Sequence, residues 1–328
     1  MKQTLLKGRG AGLIAVGFLY TAGLALSGCS GKSSLEEAYS FQERESRMAP
    51  ATENRFVPLF ASDLCVITGE SAEDAAVTAE AGGLFNITDA STVYSKNAFE
   101  KLYPASMTKV MTAILALEEG NLTDSVTVTE DAVITEAGAS LAGIQPGDTL
   151  TLEQLLYGLM IPSGNDAANA IAVHLSGSVE AFAERMTERA RELGATGTHF
   201  MNPSGLSDSE HYTTAYDLYL MFNEALKKPL FREIIGTSSY TANYTDGAGA
   251  AQSKTWTVGN WYQKGDRETP EGVTVLGGKT GTTQAAGYCL IQANAGPEGK
   301  EYMSVVMKSG SRPALYDNMT NIITKIVN

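Results

Sequence analysis

The spacing of apolar residues changes character along the chain, and each change marks an element. Ala11 to Leu26 form a nearly continuous apolar run, and residues 30 to about 60, rich in Ser, Glu, Gln and Arg, show little periodicity. The short run "DLCVIT" predicts a first strand, and "GGLFNITDA" and "STVYSK" predict two more joined at a turn-prone Asp-Ala-Ser. From Tyr103 to about Met221 the period becomes helical, with segments following Ser106 and over Leu152 to Met160, Asp166 to Leu175 and Val179 to Leu193. After about Ser239 strands return in "YTANYT", "KTWTVGN", "VTVLGGKTG", "AGYCLIQAN" and "EYMSVVMKS". The chain closes on a helix whose Leu315, Met319, Ile322, Ile323 and Ile326 share one face, a stripe suited to covering a sheet. The expected fold is α+β: one antiparallel sheet built from both ends of the chain and flanked by helices, with an all-helical lobe inserted and a site at the seam.

The 328 residues, 43% of them hydrophobic, suffice for a large core and exclude a disordered or fibrous chain. A formal net charge of −13 argues against nucleic acid as a partner, because phosphate binding needs clustered cations. Lys2, Lys7 and Arg9 ahead of the apolar run read as an export signal, since that run is short for a membrane span. Its end, "LSGC", resembles a bacterial lipobox, which would make Cys29 the lipidated first residue of the mature chain. The expected organisation is a lipoprotein signal peptide over 1–28, a flexible tether over 29–61 and one domain over 62–328. Exported and lipid-anchored, the domain would work at the outer face of the bacterial cytoplasmic membrane. Cys65 and Cys289 both lie in apolar, strand-like runs, where free thiols are favoured over a bridge.

Candidate chemistry begins with "YPASMTKVMTAILALEEG". Helical spacing puts Ser106 and Lys109 on one face, their Cβ atoms about 5 to 6 Å apart. Average composition yields about one chance SxxK in a chain of this length, so the motif gains weight only from the largely buried helix that carries it. Two further motifs follow. In "IPSGNDAANAIA", Ser163 and Asn165 occupy a short turn between apolar helices, where either residue could equally be a helix cap. In "LGGKTGTT", Lys279, Thr280, Gly281 and Thr282 follow an apolar strand, and glycine in a strand often marks close approach of a backbone or ligand. The order SxxK, SxN, KTG is the set used by penicillin-binding proteins and serine β-lactamases. A second SxN, Ser95 to Asn97, precedes the SxxK and falls outside that order. With Lys109 available as a base, His199 and His211 need no direct catalytic role, and His174 reads as structural.

From about Gly83 onward the chain resembles the serine-type D-alanyl-D-alanine carboxypeptidases, the low-molecular-weight penicillin-binding proteins. The residues that carry this are "YPASMTKVMTA", "LLYGLMIPSGNDAANAIA", "FMNPSGLSD" followed by "HYTTAYDL", and "GGKTGTTQAAGYCL". The resemblance implies Ser106 as nucleophile, Lys109 as its base, Ser163 as proton relay and Asn165 as the group aligning Lys109 with the substrate amide. It gives Lys279 and the hydroxyls of Thr280 and Thr282 to the substrate carboxylate. The N–H groups of Ser106 and Thr282 would form an oxyanion hole, and Gly281 would leave room for substrate. The implied substrates are peptidoglycan stem peptides ending in D-Ala-D-Ala, with β-lactams as inhibitors and neither cofactor nor metal required.

Many relatives continue into a small β-rich domain and a C-terminal amphipathic membrane helix; here such a domain is not expected, and lipid on Cys29 would anchor the protein instead. A class A β-lactamase would need a Glu to activate its deacylating water, and no ExxLN-like segment follows Ser163. A D,D-endopeptidase cutting cross-links, or a slowly deacylating sensor of β-lactams or muropeptides, would use the same residues.

Overall fold

The computed structural model describes residues 64–69, 71 and 73–328. The expected signal peptide, Cys29 and all of the expected tether lie outside the described residues, and so does the start of "DLCVIT". Both ends of the described chain build the main sheet. Strands β1 (Ala81–Asn86) and β2 (Ser91–Lys96) come first. Much later follow β7 (Thr274–Thr283), β8 (Gly287–Ala295) and β9 (Glu301–Ser309). They lie in the order β2-β1-β9-β8-β7, every neighbouring pair antiparallel. All six residues of β1 are buried, as an interior strand covered on both faces requires.

Between those groups the chain is mainly helical: α1 (Lys109–Glu119), α2 (Leu152–Met160), α3 (Asn165–Ser176), α4 (Val179–Glu192), α5 (Ala215–Leu226) and α6 (Pro229–Gly236). The core runs through α1, whose Val110, Met111, Ala113, Ile114, Leu115 and Ala116 are each at most 1% exposed. On the opposite face of the sheet lies α7 (Arg312–Thr324). Its Leu315, Met319, Ile322 and Ile323 cluster with Leu84, Leu290 and Val306, as the apolar stripe predicts.

Three sequence expectations are corrected. The inserted lobe is not all-helical. A second sheet, β3-β4-β5-β6, joins β3 (Ser125–Thr127) and β4 (Thr149–Thr151) to a hairpin of β5 (Ser239–Thr245) and β6 (Ala251–Thr257). The strand pattern alone predicts this hairpin in the main sheet. Only Ala242 and Trp256 of its strands are buried, so it has no second apolar face for an interior position. "DLCVIT" is no strand either, since its described part makes one isolated bridge, Val66 to Ser91. The backbone of Cys65 bonds to side chains instead: its N–H donates to the Tyr219 hydroxyl at 2.8 Å, and its carbonyl accepts from the Tyr216 hydroxyl at 2.8 Å. Cys65 and Cys289 are free, buried thiols.

Candidate active site

Ser106 lies in a single 3-10 turn, Ala105–Thr108, that leads into α1. Ala105 enters that turn at φ 48°, a left-handed backbone rare for a residue with a β-carbon. One turn on, Lys109 is fully buried. Its Nζ lies 2.6 Å from Asn165 Oδ1, 2.6 Å from the Ser204 carbonyl and 3.2 Å from Ser106 Oγ. Two of these neighbours can only accept. A neutral amine has two N–H groups for them, which leaves its lone pair directed at the Ser106 hydroxyl. Burial, and secondarily the Lys279 cation, push the Lys109 amine well below its ordinary range, against an opposing pull from Asp166. The geometry therefore favours the form that can take a proton.

Ser163 and Asn165 do not cap α3. The cap position is Gly164 and makes no side-chain bond, so both flanking side chains are free for the site. Asn165 accepts from Lys109, while Ser163, held at φ 64°, accepts from Lys279 Nζ at 2.9 Å. Lys279 also donates to the Thr280 carbonyl at 2.8 Å, and burial pushes its amine down to about 7. In the free protein the Ser163 hydroxyl is thus engaged by Lys279, and Lys109 by Asn165.

Gly281 has a structural task on β7. A β-carbon there would stand 3.0 Å from the Pro104 carbonyl and 3.0 Å from the Ser106 nitrogen, so glycine admits the nucleophile's turn. The same contact brings the Ser106 N–H, one of the donors a helix start leaves unpaired, beside β7. Two cavities meet at Thr282 and Ser140. The larger, about 650 Å³, runs from Ser106 and Asn165 along the 136–140 and 204–207 loops to Ala285. The smaller, about 170 Å³, is lined by Ser163, Thr280, Thr282 and Arg312.

Four contributors escaped the sequence reading. The first is the Ser204 carbonyl, in a loop built on Asn202, whose Oδ1 accepts from the Gly205 N–H at 2.7 Å. The turn-forming string Asn-Pro-Ser-Gly announces a loop, but not that its carbonyl faces Lys109. The second is Asp166, whose carboxylate accepts from the N–H groups of Ala142, Gly143 and Ile144 and fastens that loop beside the site. The third is His211, 1% exposed, which accepts from the Met201 N–H at Nδ1 (3.1 Å) and donates from Nε2 to the Thr108 hydroxyl at 2.8 Å. The fourth is Arg312, at the first turn of α7, exposed and without a hydrogen bond or ion pair among the described residues. His199 sits apart from the nucleophile and bonds the Glu210 carbonyl, and His174 pairs with Asp124.

The family model described as D-alanyl-D-alanine carboxypeptidase matches residues 68–311. D-alanyl-D-alanine carboxypeptidase DacF of Bacillus subtilis is 39% identical over 60% of this chain, which spans only 49% of that relative's length. A D-alanyl-D-alanine carboxypeptidase of Streptomyces sp. K15 is 34% identical over 75% of this chain and 86% of its own. Among solved structures, Streptomyces K15 DD-transpeptidase aligns with TM-score 0.71 and 32% identity, covering 76% of this chain and 97% of that one. The D-alanyl-D-alanine carboxypeptidase of Mycobacterium tuberculosis aligns at TM-score 0.67 and 27% identity, covering 79% and 94%.

Proposed function

The chain belongs to the D-alanyl-D-alanine carboxypeptidase family, and from that premise we propose that it removes the terminal D-Ala from peptidoglycan stem peptides through an acyl-enzyme on Ser106. The observation that carries the reading is the fully buried Lys109 amine, bonded to two obligate acceptors and facing the Ser106 hydroxyl. An unassisted hydroxyl is a poor nucleophile, and a neutral amine at this distance supplies the missing base.

Ser106 Oγ attacks the carbonyl of the penultimate D-Ala as its proton passes to Lys109. Negative charge on the carbonyl oxygen is met by the N–H groups of Ser106 and Thr282, donors that typically contribute about 3 to 4 kcal/mol each. The C–N bond then breaks as the proton held by Lys109 passes through the Ser163 hydroxyl to the leaving amine, and D-Ala departs with Lys109 neutral again. Water attacks the ester, Lys109 takes its proton, and that proton returns to Ser106 Oγ as the ester bond breaks. The departing carboxylate is held by Lys279, Arg312 and the hydroxyls of Thr280 and Thr282. β-Lactams acylate Ser106 by the same attack, with ring opening in place of departure.

Incubation with a stem peptide ending in D-Ala-D-Ala, followed by mass analysis, tests this. Free D-Ala supports it. Cleaved cross-linked dimers in its place would make the protein an endopeptidase, and stable penicillin labelling without turnover would make it a sensor. Similarity to the Streptomyces K15 DD-transpeptidase favours a second reading, transfer of the acyl group to an amine. An added amine acceptor then yields a new peptide bond in the product spectrum.

Anchoring is part of the same proposal. The cationic start, the apolar run and "LSGC" support lipid on Cys29 and a position on the outer face of the membrane. Among the described residues no helix is long and apolar enough to cross a membrane. Cys29→Ser should move the protein to the soluble fraction and leave its activity on a soluble peptide intact; retention on membranes would refute lipid anchoring.

A further inference from the structure

The two cavities differ in sign. Around the smaller one stand two cations, Lys279 through its bond to Ser163 and Arg312 in the lining. Among the described residues lining the larger one, Glu136 is the only ionisable side chain. It makes no side-chain hydrogen bond or ion pair with the rest of the described chain. Its position is nonetheless built. Glu136 begins a tight turn in which the Ala139 N–H donates to its carbonyl at 3.2 Å, with Gly138 at φ 80° as such turns require. Immediately downstream the loop is fastened to the start of α3: the Asn165 N–H donates to the Ser140 carbonyl at 2.9 Å, and Asp166 holds three successive N–H groups from Ala142 to Ile144. From the other side, Trp256 Nε1 donates to the Ala142 carbonyl and Lys254 Nζ to the Gly143 carbonyl, both at 2.8 Å. A carboxylate without a partner is thus presented on a pinned loop over the cavity that begins at the nucleophile.

This polarity points to Glu136 as the residue that selects the acyl side of the substrate: the geometry assigns it to a free amine on the side chain of the residue ahead of D-Ala-D-Ala. The inference rests on the carboxypeptidase reading, which puts the leaving residue in the small cavity and the upstream peptide in the large one. A peptide carrying a carboxylate at one end and an ammonium at the other matches the field of the cleft. One carrying a second carboxylate upstream meets Glu136 in a protein already at −13. Acylation of that amine, as happens when it enters a cross-link, removes the charge. The cleft is therefore tuned to peptides whose own side-chain amine has not yet been joined to another strand.

The test compares Nα-acetyl-L-Lys-D-Ala-D-Ala with its Nα,Nε-diacetyl form. Glu136 is exposed, so the preference for the free amine should be about three- to fivefold in kcat/KM, expressed mainly in KM and reduced by salt. Glu136→Gln should bring the ratio of the two substrates close to one, and Glu136→Lys should shift preference toward a peptide with L-Glu in place of L-Lys. An unchanged ratio in Glu136→Gln overturns the assignment. If neither peptide releases D-Ala, the carboxypeptidase reading is what fails. Protection of Ser106 against a fluorescent penicillin by the same two peptides still measures the preference, and equal protection in wild type and Glu136→Gln would overturn it.

Discussion

The carbonyl oxygen of Ala105 stands where a β-carbon on Gly205 would have to go: the distance from that position is 1.9 Å. Ala105 holds φ 48° and Gly205 φ 87°, so two left-handed residues are locked together, one beside the nucleophile and one in the loop that offers the Ser204 carbonyl to Lys109. The contact couples Ser106 to the environment of its base.

Gly205→Ala should separate them. Strain at a left-handed alanine together with backbone overlap should destabilise the fold by about 2 to 3 kcal/mol. Displacement of the nucleophile by about an ångström should slow acylation on the order of 100-fold. Stopped-flow labelling with a fluorescent penicillin, alongside urea denaturation, separates the two effects. A folded Gly205→Ala variant that acylates at the normal rate would show that the contact is not needed to position Ser106.

Much of this site was legible because its chemistry is local in sequence. Ser106 and Lys109 are one helical turn apart, and the residues of "SGN" and "KTG" stand at a helix start and on a strand that periodicity alone places. What was not legible depends on long-range contacts. Nothing near Ser204 announces that its carbonyl meets a lysine 95 residues away. Gly281 reads from sequence as a place of close approach, and only the packing of β7 on the nucleophile's turn shows that Pro104 and Ser106 are what approach it. Alternation identifies the hairpin strands of Tyr240 and Trp256 without naming their neighbour, so it does not tell which sheet they join. Cys65 looked like a strand residue because apolar content does not reveal that Tyr216 and Tyr219 take its backbone bonds.

Lys279 sets a pH dependence. Binding a carboxylate needs its ammonium, and burial pushes that group down to about 7. As pH rises through this value the free enzyme loses the cation, so kcat/KM should fall through a limb near pH 7, by about tenfold or more, the scale of a charge-assisted contact. In the complex the substrate carboxylate favours the ammonium, so the limb in kcat should lie at higher pH. Lys279→Arg keeps its charge throughout and should abolish the limb. Identical profiles in wild type and Lys279→Arg would assign the limb to another group.

His211 makes the protein acid-sensitive. Burial pushes its imidazole down to about 4, against a weaker opposing effect of Asp208. The unfolded chain binds a proton here below about 6.5 while the folded protein does not, so stability contributed by the neutral ring is present above about 6.5 and lost as pH falls toward 4. Between pH 7 and 4.5 wild type should lose about 2 to 3 kcal/mol more than His211→Gln, as read from urea denaturation at both values. Equal losses would show that other groups carry the acid response.

Arg312 and Lys279 divide one task by pH. Arg312 is exposed and lines the small cavity beside Thr280 and Thr282, whereas Lys279 is 2% exposed and reaches the same cavity through Ser163. The buried cation gives the stronger contact per bond, but it is lost above about 7; a guanidinium stays charged at any working pH. At pH 6 preference for a free D-Ala carboxylate over its amide should depend mostly on Lys279. At pH 8.5 it should depend on Arg312. Arg312→Gln should therefore reduce the acid-to-amide ratio of kcat/KM by a few-fold at pH 6 and by about tenfold at pH 8.5, and Lys279→Gln should show the reverse order. Measuring both substrates in both variants and in the double variant, at both pH values, isolates the coupling of each cation to the carboxylate. A ratio that Arg312→Gln leaves unchanged at pH 8.5 would remove Arg312 from carboxylate binding and leave Lys279 as the sole cation for the leaving group.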